Sequence, residues 1–246
     1  MRRRNGGKHL AHAEEPAAFG PGLSFGASEA YRLLRANILF ALPDQGKCRV
    51  IGVTSALSGE GKSTTVLNLA YMLAESGRKT LLLEADMRLP TVSQRLKLSS
   101  EPGLSNLLAG LCGGEEAVRD SGIHERLWVM PSGDIPPNPS ELIGSGQMKA
   151  VLEELKESYD FLLLDLPPIN EVSDALVASR LADGMAVVVR SGYSSRSAVA
   201  EAMRQLQYAE AKVLGFVMNR ADGQEGNYKG YQSGYGYRYG GSAEQA

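Results

Sequence analysis

Cysteine is scarce in this chain, with two residues in 246, Cys48 and Cys112. They are too few and too far apart for a metal knuckle or a disulfide framework, and they read as small apolar fillers. Long apolar runs are missing as well, so no segment reads as a transmembrane helix. The opening stretch, MRRRNGGKHLAHAEEPAAFG, starts basic but lacks the apolar centre of a signal peptide. The expectation is a cytoplasmic protein. An excess of either charge is absent too: 26 Lys and Arg against 28 Asp and Glu leave a net charge of −2. That balance offers no concentrated basic surface, and no nucleic-acid partner is expected.

What the chain does have is apolar content of 43% over a length that can bury one large core. Residues 1 to about 24 mix Gly, Ala, Pro and charge without periodicity, and read as a flexible leader. Residues 25–220 carry the folded pattern. From 221 to 246 the sequence turns to ADGQEGNYKGYQSGYGYRYGGSAEQA, without large aliphatic residues, and reads as a disordered Tyr/Gly-rich tail.

Within the folded part, Ser28–Leu42 predicts a helix capped by Ser28, with Leu33, Leu34, Ile38, Phe40 and Leu42 as its apolar stripe. Short apolar runs then alternate with helical patterns. Strands are predicted at Val50–Thr54, Thr80–Ala85, Leu127–Pro131, Phe161–Asp165, Met185–Arg190 and Val213–Asn219. Helices are predicted near Lys62–Ser76, Leu104–Ala109, Ser140–Ser158, Ser173–Leu181 and Arg196–Tyr208. Runs such as TLLLEA, FLLLD and MAVVV lack in–out alternation, so their strands should be buried on both faces. The fold class is therefore α/β, a central mostly parallel sheet with helices on both faces.

One loop carries the chemistry. ALSGEGKS, residues 56–63, fits the phosphate-loop pattern G-x-x-x-x-G-K-S/T with alanine at its first position, between a predicted strand and a predicted helix. Gly59 and Gly61 let backbone N–H groups turn toward phosphate oxygens, and the following helix adds its positive end. Ser58, Gly59, Glu60, Gly61, Lys62, Ser63 and Thr64 form the candidate nucleotide-binding set, with ATP as the ligand. Lys62 should reach the β- and γ-phosphates and the Ser63 hydroxyl should ligate Mg²⁺. A metal held for phosphoryl transfer also needs acids, which collect at the carboxyl ends of strands. LLLEAD offers Glu84 and Asp86 two residues apart, and FLLLD ends in Asp165.

ALSGEGKST, LLLEADMRLP, PPNPSELI and FLLLDLPP, in this order, resemble the bacterial tyrosine kinases of capsule and exopolysaccharide assembly, relatives of the partitioning and cell-division ATPases. The resemblance covers about Ser28 to Arg220 and implies the P-loop NTPase fold. It implies Lys62, Ser63 and Thr64 on the nucleotide and Mg²⁺, Asp86 and Asp165 supporting the metal, and Glu84 activating the incoming tyrosine hydroxyl. Glu84 departs from the family, which usually has aspartate there. Asn219 and Arg220 fall where relatives contact the adenine base. Glu29, Arg32 and Arg35 match the family's E-x-x-R-x-x-R helix, implying ring-like self-association through that stripe. A separate membrane activator of the chain-length-determinant kind is implied too, recruiting the chain to the inner face of the plasma membrane.

The tail completes the reading. Tyr228, Tyr231, Tyr235, Tyr237 and Tyr239 lie within twelve residues among Gly, Ser, Gln, Lys and Arg. The last strand of a parallel sheet would deliver the tail to the edge holding the phosphate loop, and a flexible chain of about 15 residues spans roughly 20 Å. These tyrosines are the expected phosphoacceptors between subunits. Two alternatives stay open: an ATP-switched regulator of the partitioning type, and a weakened or inactive kinase acting as a binding module.

Overall fold

The computed structural model describes residues 18–42 and 46–221. Along the chain come α1 (Phe25–Ala41), β1 (Arg49–Ser55), α2 (Lys62–Glu75), β2 (Thr80–Glu84), α3 (Val92–Leu96), α4 (Leu104–Leu108), α5 (Gly114–Ala117) and β3 (Arg119–Asp120). They are followed by β4 (Leu127–Met130), α6 (Pro139–Ile143), α7 (Gly146–Lys156), β5 (Phe161–Asp165), α8 (Asp174–Ala178), β6 (Gly184–Arg190), α9 (Arg196–Tyr208) and β7 (Val213–Asn219). The strands form one sheet in the order β3-β4-β2-β5-β1-β6-β7. Every neighbouring pair is parallel except β3 with β4.

Successive strand residues point to opposite faces, and both faces here are covered, which explains the unbroken apolar runs. Leu81, Leu83, Leu162, Leu164 and Val187 join one buried cluster with Leu152 of α7 and Leu206 of α9. Ile51, Val53, Leu82 and Leu163 join the other with Leu69 and Leu73 of α2 and Ile38 of α1. The chain crosses from β1 to β2 toward one edge of the sheet and from β5 to β6 toward the other. That reversal opens a crevice at the carboxyl end of β1, where ligands of such sheets settle. Pairing continues past β5: Ile169 N–H donates to Ser55 O at 2.9 Å and the Thr54 hydroxyl to Pro167 O at 2.7 Å, fixing the Pro167-Pro168 turn at that rim.

Several expectations need correction. The α1 cap is Ser24, whose hydroxyl accepts the Ala27 N–H at 3.3 Å, and the helix begins before Ser28. Its apolar stripe is narrower than expected, because Ile38 and Leu42 are buried while Leu33 and Phe40 are 58% and 82% exposed. Residues 18–24, expected within the leader, include a short 3-10 turn at Gly20–Gly22. Gly20 is buried there and donates its N–H to Asn68 Oδ1 on α2 at 2.9 Å. The segment expected as one helix from Ser140 to Ser158 is two, because Ser145 takes an extended backbone and caps α7 by accepting the Met148 N–H at 3.1 Å. The predicted strands and the remaining predicted helices stand at their expected places in the chain.

Candidate functional site

β1 ends at Ser55, and the chain turns through residues 56–61 before α2 begins at Lys62. Gly59 and Gly61 have φ of +77° and +94°, the left-handed region where glycine carries no Cβ penalty. At Gly61 a Cβ would also stand 2.0 Å from Asn219 Nδ2. The loop is braced by three side chains. Tyr193 donates its hydroxyl to Ser58 O at 3.2 Å, Arg190 Nη1 donates to Gly59 O at 3.2 Å, and Asn219 Nδ2 donates to Glu60 O at 2.9 Å. The Arg190 guanidinium lies 5.1 Å from the centre of the Tyr193 ring. A trans peptide points its C=O and the next N–H in opposite directions. With these three carbonyls engaged by side chains, the N–H groups of Gly59, Glu60 and Gly61 point away from those contacts, and such a run of N–H groups can cradle phosphate.

Glu60 serves this loop through its backbone. Its carboxylate is buried, accepting the Leu57 N–H at 2.9 Å and the Ser194 hydroxyl, so the side chain braces the turn and does not line the cleft.

The acids separate into different roles. Asp86 Oδ2 accepts from Lys62 Nζ at 2.6 Å, and its Oδ1 accepts the Leu89 N–H at 3.1 Å. Burial of the Lys62 ammonium works to lower its pKa, but the charges of Asp165 and Asp86 and the bond to Asp86 outweigh burial and raise it. Asp165 closes β5, in register with Val53 of β1 and Glu84 of β2. It is fully buried, and neither carboxylate oxygen has a hydrogen-bond partner among the described residues. Burial pushes its pKa up to about 6 against the pull of Lys62 and of the nearby Ser63 hydroxyl, with the Asp86 and Glu84 charges adding to the rise. Two orphaned buried oxygens beside a second carboxylate and the Ser63 hydroxyl make an all-oxygen donor set that suits a hard divalent cation. Among the described residues no group of three or more His, Cys, Asp or Glu is placed to hold an ion.

Glu84, expected to activate the incoming hydroxyl, is held by backbone donors. The carboxylate accepts the Val92 N–H at 2.5 Å, the Ser93 N–H at 3.3 Å and the Ser132 N–H at 3.4 Å. It binds the start of α3 and the chain after β4 to the sheet and is not among the residues lining the cleft.

The cleft itself has a volume of about 600 Å³. The loop residues Ser58, Gly59, Gly61, Lys62, Ser63 and Thr64 and the side chain of Asp86 form one part of its wall, and Asn219 and Arg220 another. The sequence reading missed Arg88, Arg95, Glu171 and Arg190, which also line it. Arg88 stood two residues after Asp86, and Arg190 closes the strand beside β1, so the rule that sites collect at carboxyl strand ends could have found both. Glu29, Arg32 and Arg35 lie away from the cleft. Arg32 pairs with Glu29 at 2.5 Å and with Glu75 of α2 at 3.3 Å, and Arg35 Nη1 donates to Met72 O at 2.7 Å, so this stripe is partly engaged by its own chain. Tyr228, Tyr231, Tyr235, Tyr237 and Tyr239 lie outside the described residues.

Fold and loop together define a P-loop protein of the mostly parallel α/β class. The AAA domain family matches residues 48–214. Tyrosine-protein kinase YwqD of Bacillus subtilis (strain 168) is 41% identical over 210 residues, which cover 85% of each chain. The kinase domain of the Escherichia coli tyrosine kinase ETK superposes with a TM-score of 0.75 at 32% identity, covering 78% of this chain and 75% of that one. The septum site-determining protein MinD of Pyrococcus horikoshii OT3, complexed with Mg-ADP, follows with a TM-score of 0.60 at 26% identity over 72% of each chain. The chain belongs to the bacterial tyrosine-protein kinases, within the AAA domain family.

Proposed function

We propose that this kinase uses ATP and Mg²⁺ to phosphorylate its own C-terminal tyrosines between subunits, and so regulates capsule or exopolysaccharide synthesis or export. One observation carries the reading. Asn219, the last residue of β7, donates to the Glu60 carbonyl, so the segment that leads to Tyr228–Tyr239 departs beside the phosphate loop. Transfer between subunits requires a neighbouring cleft within the roughly 20 Å that about 15 residues of chain can span.

ATP supplies the phosphoryl group when bound, and Mg²⁺ the positive charge that offsets its oxygens. Ser63, Asp86 and Asp165 would hold the ion. The N–H groups of Gly59, Glu60 and Gly61 would cradle phosphate oxygens, flanked by Ser58 and Thr64, and Asn219 and Arg220 would border the base. Lys62 keeps its proton beside two carboxylates and can exchange its bond with Asp86 for one to a phosphate oxygen. The Asp86 oxygen released in that exchange then turns to the ion, beside Ser63 and Asp165. In the same reading α1 joins subunits into a ring through Glu29, Arg32 and Arg35, and a separate membrane protein recruits and activates the kinase. Repulsion among phosphotyrosines, each adding about −1.5 to −2 charge, would loosen that ring.

A second reading, an ATP-switched regulator with weak transfer activity, draws on the likeness to MinD and on the commitment of Glu84 to backbone donors. Incubation of the full chain with Mg²⁺ and labelled ATP, followed by phosphotyrosine mapping, decides between them. Label on the tail tyrosines that vanishes when the chain ends at Ala221 supports transfer; ATP turnover without phosphotyrosine supports the switch.

A further inference from the structure

Arg88 and Arg95 stand on the cleft wall that runs from Asp86 along the start of α3. They differ in how they are held. Arg88 Nε and Nη2 donate to Asp174 Oδ2 and Oδ1 at 2.9 and 3.1 Å, a bidentate pair spanning 86 positions of sequence. Asp174 is completely buried and also accepts from the Ser140 hydroxyl, which in turn accepts from Ser173 at 3.1 Å. Three separate segments, the loop after β2, α6 and α8, thus converge to fix one guanidinium whose side chain remains 40% exposed. Its Nη1 has no partner among the described residues, and neither has the Arg95 guanidinium on α3. Leu89, 67% exposed, follows Arg88 in the chain, and Pro167, Pro168 and Val172 add further apolar side chains to the cleft.

A buried carboxylate spent on orienting a surface arginine is costly unless the fork has work to do. Holding it in place removes rotamer freedom that would otherwise be lost on binding. Two guanidiniums suit an oxyanion, which arginine recognises with parallel N–H donors, and the apolar side chains suit a flat ring. Lys62, Ser63 and the loop N–H groups already provide for nucleotide phosphates, and Arg88 and Arg95 are further cations lining the same cleft.

We propose that Arg88 and Arg95 form a phosphotyrosine subsite, which receives the acceptor ring and holds the phosphoryl group once it is on tyrosine, with Asp174 and Ser140 as positioning residues for Arg88. The proposal rests on the kinase reading, but its test does not require turnover. A fluorescently labelled peptide with the sequence of residues 221–246, phosphorylated at Tyr235, is titrated with the full chain and followed by anisotropy. The same peptide without phosphate and a fluorescent ADP analogue are the other two arms. Arg95→Gln, which breaks no hydrogen bond or ion pair among the described residues, should weaken the phosphopeptide about tenfold and leave ADP within about twofold, as arginine-to-phosphate contacts are charge-assisted. Arg88→Gln alone leaves Asp174 buried without its cation, so the neutral pair Arg88→Gln with Asp174→Asn is the variant to use, and it should show the same selective loss. Asp174→Asn alone should weaken the phosphopeptide less than the pair, because the fork survives but is no longer held. Unchanged phosphopeptide affinity in these variants, no measurable phosphopeptide binding by the parent chain, or an equal loss of ADP would each overturn the subsite. Failure of the parent chain to label its tail with ATP would count against the proposed autokinase instead, whatever the anisotropy shows.

Discussion

Glu171 Oε1 accepts the backbone N–H of Ser58 at 2.7 Å, so a carboxylate from the turn before α8 rests on a donor of the phosphate loop. Glu171 also contributes to raising the Lys62 pKa. Its negative charge therefore competes for the donor and the cation that phosphate oxygens would use. Replacing it by Gln keeps the length and removes the charge. Glu171→Gln should tighten nucleotide binding about threefold, the scale of an exposed charge contact below about 1 kcal/mol, and the gain should shrink in high salt. Titration with a fluorescent nucleotide at two salt concentrations reads both effects. Weaker binding by the variant would mean that Glu171 supports the bound ligand and does not oppose it.

The commitment of Glu84 leads to a second expectation. Glu84→Asp pulls the carboxylate back by about one methylene, on the order of 1 Å, from the N–H groups of Val92 and Ser93, and buried donors left without a partner cost about 1–3 kcal/mol each. Stability to urea should fall by that order. Glu84→Gln keeps an oxygen within reach of Val92 and should lose less. If Glu84 holds structure and not protons, tail phosphorylation by the Gln variant should stay within about tenfold of the parent chain. A hundredfold loss of rate with unchanged urea stability would restore Glu84 as a chemical participant.

The contrast between Glu84 and Lys62 shows where the sequence was readable. Lys62 belongs to a local pattern in which strand, glycines and helix follow within a few residues, so spacing alone located it. Runs such as FLLLD announced strands covered on both sides, and the two clusters around Leu82 and Leu83 bear that out. Glu84 is held by residues 92, 93 and 132, and Arg88 by residue 174, separations that only the fold brings together. The short elements α3, α5 and β3 were illegible for a different reason. Each has five residues or fewer, less than two turns of helix or a useful run of alternation, so tertiary contacts and not periodicity define them. The cap expected at Ser28 falls at Ser24, because the turn at Gly20–Gly22 docked on α2 leads directly into the helix.

Cys48 provides a test at the other end of the sheet, just before β1. Burial raises its thiol from 9.0 to about 11, with Asp183 and Asp160 adding to the rise and Lys156 and Arg49 opposing it. Only about one thousandth of the thiol is ionised at pH 8, so reaction with a neutral disulfide reagent should be slow there and quicken about tenfold per pH unit until near pH 11. The sign for stability follows from the same shift. The unfolded chain releases this proton near pH 9 while the folded chain keeps it, so the Cys48 contribution is present below pH 9 and is lost as pH rises toward 11. Cys48→Ala should remove that part of the alkaline loss. Rapid modification of Cys48 at pH 7 in the folded chain would contradict the assignment.

Asp165 sets stability against function. A buried carboxylate with two unpartnered oxygens costs the metal-free protein, and an amide of the same shape removes the charge at the expense of an imperfectly paired polar group. The charge is the larger penalty even with Lys62 nearby, since the Lys62 ammonium hydrogen-bonds to Asp86 and not to Asp165. Asp165→Asn should therefore raise the midpoint of thermal unfolding in chelator by a few degrees, equivalent to about 1 kcal/mol for a chain of this size. Mg²⁺ with a non-hydrolysable ATP analogue should then reverse the order, stabilising the parent chain strongly and the variant little, because ligand binding to the folded state adds stability in proportion to its affinity. The two scans separate explanations that a loss of activity alone would merge. A variant less stable than the parent in chelator, yet still stabilised by Mg²⁺ and nucleotide, would mean that Asp165 is a structural acid whose oxygens find partners in solution, and the cation would have to rest on Asp86 and Ser63 without it.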